Sequence, residues 1–96
     1  MENSAVSSGY RILRAMGNIR RLQILYALRH NEKNVGELEE VVGLSQSALS
    51  QHLAVLRHVG LVKTRRQAQT IFYSIKSAIV LNILNMLDKF YNKRYE

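Results

Sequence analysis

A chain of 96 residues is one domain's worth, and 47% hydrophobic with 22% charged residues is an ordinary globular balance, which excludes wholesale disorder. There is no cysteine, so disulfides and thiolate metal sites are excluded, and no apolar run approaches the ~18 residues of a membrane span. Fourteen Lys and Arg against seven Asp and Glu give a net charge of +7 and a pI near 10.2, which favours polyanionic partners.

The first ten residues lack a signal-peptide core, so the expected location is cytoplasmic, with no membrane partner. A chain this short buries only about 60–65% of its unfolded surface. Its core is marginal, and oligomerisation is the expected support. The charge is also uneven. No acid falls between Glu40 and Asp88, whereas Arg57, Lys63, Arg65, Arg66 and Lys76 do. That is the footprint of a polyanion binder, with a solvated basic surface as the plainer alternative.

In chain order, residues 1–8 are small and polar and read as a frayed terminus of a single domain spanning 1–96. Tyr10, Ile12, Leu13 and Met16 predict a short helix from Gly9 to Met16. Gly17 breaks it, and Asn18 is an N-cap for a second helix carrying Ile19, Leu22, Leu25 and Tyr26 to about His30. Asn31 to Asn34 reads as a polar turn. Asn34 with Glu37 resembles a capping box, and Val35, Leu38, Val41 and Val42 mark one apolar side of a third helix that Gly43 ends.

Ser45 caps a fourth helix that runs to about His58 and stops at Gly60. The pattern then becomes strand-like over Leu61–Arg66 and Gln69–Ile75. The turn near Gln67 and Ala68 lacks an Asn-Gly signal, which predicts a longer loop. From Ser77 to about Asn92 a final helix is apolar over a wide arc of Ile79, Val80, Ile83, Leu84, Met86, Leu87, Phe90 and Tyr91. The expected fold is mainly α (α+β), a winged helix-turn-helix in the order ααααββα.

Function concentrates in the fourth helix. Leu49, Leu53 and Leu56 share one side, and Ser47, Gln51, Ala54 and His58 the other, with Ser50 close by. Exposed helix faces usually favour Lys and Glu. Here there is no acid, and short side chains let a backbone approach base edges while Gln and Ser supply hydrogen bonds. The plainer reading is an amphipathic helix with a low-charge face. Lys63, Arg65, Arg66, Gln67 and Gln69 then gather donors around one hairpin turn, a wing suited to phosphates or the adjacent minor groove.

These residues resemble the ArsR/SmtB transcriptional regulators. The resemblance rests on Leu44 to Leu53 (LSQSALSQHL), Leu56-Arg57 and Gly60-Leu61-Val62. Arg20 to Leu25, Val35-Gly36-Glu37-Leu38 and Ile71-Phe72-Tyr73 extend it over roughly residues 15–91, nearest the HlyU/BigR-like branch. It implies a homodimer through the first and last helices, with Tyr10, Leu13, Ile83, Leu87 and Phe90 in the interface, and two recognition helices in successive major grooves of double-stranded DNA. By motif position it implies DNA contacts from Gln46, Ser47, Ser50 and Gln51, with His52 at the edge near phosphate. A half-buried packing histidine is the competing reading of His52. Lys63, Arg65 and Arg66 are the implied wing contacts, and Gln69 is a candidate DNA contact from the hairpin's own set of donors. The alternative function is a winged-helix module that binds a protein partner or RNA.

The chain departs from that family where its sensing chemistry sits. The thiolate metal site of the family would need cysteines where Asn34 and Gly36 stand. No histidine follows His58, and Asp88 is the only acid of the last helix, so no metal is expected. The branch's switching cysteine pair corresponds to Tyr26 and Asn92, which removes thiol and persulfide sensing. Two readings remain: a constitutive DNA binder, favoured because no convergent polar set marks a pocket, or a sensor of another ligand. No nucleophile elbow or phosphate-binding Gly-rich loop is present. Ser45, Ser47 and Ser50 near His52 lack an orienting acid, so neither catalysis nor a cofactor is expected.

Overall fold

The computed structural model of the chain describes residues 4–92. Five helices and three strands follow in the order α1 (Ser4–Met16), α2 (Ile19–Leu28), β1 (Lys33–Asn34), α3 (Val35–Val42), α4 (Gln46–Val59), β2 (Val62–Gln67), β3 (Thr70–Ile75) and α5 (Ala78–Tyr91). The architecture is a winged helix-turn-helix: a helical cluster with a three-stranded antiparallel sheet of order β1-β3-β2 at one side.

The element boundaries follow from caps written in the sequence. The Asn18 side chain accepts from the Arg20 and Arg21 backbone N–H groups at 3.0 and 3.1 Å and so starts α2. At α3 the capping box is complete. Asn34 Oδ1 accepts from Glu37 N–H, and Glu37 Oε1 accepts from Asn34 N–H, both at 2.9 Å. Ser45 caps α4 by accepting from Ala48 N–H at 3.2 Å. Gly60 closes it at φ 88°, where its N–H donates to the Arg57 carbonyl and Leu61 N–H reaches back to Leu56. That left-handed closure satisfies carbonyls the helix would otherwise leave bare.

The core is one cluster in which Leu49, Leu53 and Leu56 of α4 meet Ile24, Leu25 and Leu28 of α2, Leu38 of α3, and Leu61 and Val62 at the base of the wing. Only Ala15 and Met16 of α1, and only Val80 and Leu84 of α5, are fully buried. Both outer helices therefore keep wide apolar faces uncovered: Val6, Tyr10 and Leu13 on α1, and Ile79, Met86 and Phe90 on α5 are all more than half exposed. Ile83 and Leu87 are half-buried.

Four expectations need correction. Ser4 to Ser8, expected as a frayed terminus, open α1, while residues 1–3 of that stretch lie outside the described residues. Lys33 and Asn34, expected as turn, form β1 by pairing with Tyr73 and Phe72. A two-residue strand carries no periodicity of its own and exists only through that tertiary pairing. The hairpin is tighter than expected, because Gln67 pairs with Thr70 across Ala68 and Gln69 alone. Ala68 takes φ 55°, the turn conformation usually left to Gly or Asn. Val41 is exposed rather than part of the apolar side of α3, where only Leu38 is fully buried.

Two positive-φ positions occupied by different residues give opposite expectations. Gly60→Ala adds a side chain in the left-handed region and should cost about 1 kcal/mol in urea unfolding, whereas Ala68→Gly should gain a similar amount.

Candidate nucleic-acid interface

With its leucine stripe fixed against α2 and α3, α4 presents Gln46, Ser47, Ser50, Gln51, Ala54, Arg57 and His58 to solvent. Ser50, Ala54, Arg57 and His58 line a cleft whose far wall is Tyr73 of the wing. The exposed face carries hydroxyls, amides and small groups, and its ionisable members are Arg57 and His58. Such a surface can lie close to base edges and accept and donate in the major groove.

The wing cations do not share one face. Paired residues of neighbouring antiparallel strands project to the same side. Arg66 pairs with Ile71 and Thr64 with Tyr73, on the side that faces α4. Lys63 and Arg65 pair with Ser74 and Phe72 on the other side. Arg65 is also engaged. Its Nε donates to Glu32 Oε1 at 2.7 Å, its Nη1 donates to Gln67 Oε1 at 3.0 Å, and its guanidinium lies 4.7 Å from the centre of the Phe72 ring. The hydrogen bond from Arg65 holds the Glu32 carboxyl below its usual pKa and raises that of the guanidinium. Arg66 donates only to the Ala68 carbonyl, at 3.2 Å, and it and Gln69 stand exposed at the hairpin tip. Nothing in the sequence signals the Glu32–Arg65 pair, whose members are 33 positions apart and meet only because β1 joins the sheet.

His52 is half-buried, with Nδ1 3.4 Å from Nη1 of Arg21, whose Nε donates to the Ala15 carbonyl at 2.6 Å. Burial and then the Arg21 and Arg20 charges push the imidazole below its ordinary pKa, and because a guanidinium can only donate, Nδ1 is the acceptor in this contact. This geometry is that of a packing histidine joining α2 to α4.

At Tyr26 and Asn92, the positions that the resemblance gives to a cysteine pair, both side chains bond to α5. Asn92 Nδ2 donates to Asp88 Oδ1, and the Tyr26 hydroxyl donates to the Leu84 carbonyl at 3.4 Å. Burial raises the Tyr26 phenol pKa, and the Asp88 charge adds to the rise. Arg29 completes the group, donating to Asn85 at 3.0 Å and pairing with Asp88 at 3.3 Å. Asn34 serves as the cap of α3, and an added Cβ at Gly36 would meet its Oδ1 at 3.4 Å. Among the described residues no three His, Cys, Asp or Glu gather into a group able to hold a metal ion, and no helix is long and apolar enough to cross a membrane.

Comparison with known proteins places this geometry. Residues 18–64 match the family described as "Bacterial regulatory protein, arsR family". The chain is 55% identical over 80 residues to the transcriptional activator HlyU of Vibrio cholerae, covering 83% of this chain and 74% of that one. It is 52% identical over 90 residues to the nodulation protein NolR of Rhizobium meliloti, covering 94% and 72%. The solved structure of Vibrio cholerae HlyU superposes with a TM-score of 0.88 at 50% identity, over 95% of this chain and 98% of that one. A Mycobacterium bovis domain described as a homodimeric winged helix-turn-helix DNA-binding domain superposes at 0.83 with 26% identity, over 95% and 84%.

The depressed His52 pKa has a signed consequence. The unfolded chain takes up this proton more readily than the folded one, so the histidine's contribution is complete above its ordinary value of about 6.5 and is lost as pH falls through the folded value. Urea midpoints measured from about pH 7.5 down to about pH 5 should therefore fall less for His52→Gln than for the wild type.

Proposed function

The chain belongs to the arsR family of bacterial regulatory proteins, DNA-binding regulators of transcription, and from that premise we propose that two copies grip an inverted-repeat operator as a two-fold dimer. The uncovered apolar faces of α1 and α5 join the copies, with Tyr10, Leu13, Ile83, Leu87 and Phe90 between them. Each α4 then enters a major groove about one helical turn, roughly 34 Å, from the other.

The observation that carries this reading is the exposed side of α4, which holds short polar groups and no acid and is flanked by the wing. Gln46, Ser47, Ser50 and Gln51 read bases and nearby phosphates. At the wing, Arg66 and Gln69 engage the backbone and Lys63 supports them from the outer side of the sheet. Arg65 differs, because it must leave Glu32 before it can meet a phosphate. His52 serves packing rather than contact. Cysteine is absent, and Tyr26 and Arg29 hold α2 to Leu84, Asn85 and Asp88 of α5 without a reversible covalent bond. We accordingly propose a regulator without a cysteine-based switch, and none built on a metal is expected.

Selection of bound duplexes from a random pool should recover an imperfect inverted repeat, and light scattering should give a dimer mass. A pool without two-fold symmetry, or a monomer bound to it, would refute the proposal. Gln51→Ala should reduce discrimination between selected and random duplexes by about 1–3 kcal/mol, while Arg66→Ala should weaken both alike. Diamide, a thiol oxidant, and zinc should each leave DNA affinity within about a factor of two, since the chain has no thiol and its described residues gather no cluster of metal ligands.

A further inference from the structure

The wing flanks α4 on one side only. On the other side Arg11 and Arg14 of α1 and Arg21 of α2 rim an open cleft floored by Ala15, Val55 and Val59. At about 100° per residue, Val55 stands about 40° round α4 from Gln51, on the side away from Arg57 and the wing. Three guanidiniums thus converge beside the base-reading face, a grouping that chain position does not reveal.

Among the described residues Arg11, Arg14 and Arg21 form no ion pair. No acidic residue lies between Glu2 and Glu32, a stretch that holds Arg11, Arg14, Arg20, Arg21 and Arg29. Arg29 is paired with Asp88 at the far end of α2, away from this cleft. Arg14 donates to the Tyr10 hydroxyl at 3.2 Å and lies 5.9 Å from the centre of that ring, which steadies its guanidinium and leaves most of its donors open. Arg21 has a different place, fastened to the Ala15 carbonyl and His52, so it holds the α1–α2 junction against α4. Arg11 and Arg14 lie three residues apart on one side of α1, bordering the apolar stripe of Val6, Tyr10 and Leu13 rather than belonging to it.

A helix in the major groove lies in a channel about 12 Å wide with a phosphate ridge on either side. Phosphate contacts fix the register of such a helix, and contacts on one ridge alone leave it free to roll. The wing serves one ridge. We propose that Arg11 and Arg14 form a second phosphate-binding surface that grips the DNA backbone on the flank of α4 opposite the wing, with Arg21 as a positioning residue. The inference rests on the reading of α4 as the DNA-recognition helix.

The test is the salt dependence of binding to a random-sequence duplex about three helical turns long, which needs no knowledge of the operator. Removing one cation that neutralises a phosphate should flatten the slope of log K against log salt by about 0.9. The double variant Arg11→Gln, Arg14→Gln should flatten the slope by about 1.8 for each copy on the DNA, keep its preference for selected over random DNA, and match the wild type in dimer mass. The charge-keeping pair Arg11→Lys, Arg14→Lys should restore most of the slope. Arg11→Gln alone, which keeps the Arg14–Tyr10 contact, should give about half the effect if the double variant is unstable.

Lys89→Gln, on α5, should leave the slope unchanged. Equal flattening from Lys89→Gln would mean diffuse charge and would overturn the proposal. So would an unaltered slope in a folded, dimeric double variant. Arg66→Gln separates the second surface from the DNA reading beneath it. If it flattens the slope while the α1 variant does not, only the second surface fails. If neither does, the DNA reading of α4 and the wing fails with it.

Discussion

Burial of Leu49, Leu53 and Leu56 fixes the rotation of α4, and everything on its solvent side follows from that rotation. Each leucine is essentially inaccessible, and full burial of one such side chain is worth about 1.5–3 kcal/mol. A twist of α4 about its axis would expose that stripe at a cost no exposed hydrogen bond could offset. Because an α-helix repeats every 3.6 residues, holding one side inward commits Ser47, Ser50, Gln51 and Ala54 to the other. The caps at Ser45 and Gly60 set the length over which this holds. The recognition surface is thus specified by the core beneath it, and its own polar residues are left free to serve contact.

This explains what was legible in the sequence. Caps and stripes are local, so Asn18, the Asn34–Glu37 box, Gly43, Ser45 and Gly60 mark their boundaries before any tertiary contact is known. The contents of the α4 face were legible for the same reason. What escaped was set by distant pairing. β1 exists because Lys33 and Asn34 meet β3, and it carries Glu32 to Arg65. Strand register divides Arg65 from Arg66, although in sequence they are simply adjacent cations. The tight hairpin escaped because Ala68 takes a conformation its residue type disfavours, and the sheet on both sides imposes it. The opening of α1 at Ser4 escaped because small polar residues carry no apolar period there. His52 was legible only as an ambiguity, since its place depends on an arginine in another helix.

The polar group between α2 and α5 gives the scaffold its rigidity. Its ion pair is partly exposed, at 17% and 33% for the two side chains, and such a pair is worth at most about 1 kcal/mol. Its importance is directional. Arg29 reaches both Asn85 and Asp88, Tyr26 reaches the Leu84 carbonyl, and Asn92 turns back onto Asp88. These bonds fix the pitch of the last helix against the helix that supports α4. In a two-fold assembly that pitch sets the separation of the two reading heads. None of these bonds is a covalent link that can be made and broken in the way a thiol pair can.

The uncovered faces of α1 and α5 then decide how such a regulator answers to the cell. If copies join through Tyr10, Leu13 and Phe90 as proposed, their association is a second-order process, and one copy alone offers one reading head to a two-headed site. While single chains predominate, the population able to occupy an operator rises as the square of the amount synthesised. A modest change in expression is thereby sharpened into a larger change in promoter occupancy, and dilution at cell division acts in the opposite sense with the same steepness. On the dimer proposed above, the bare stripes of α1 and α5 tie promoter occupancy to the amount of chain present.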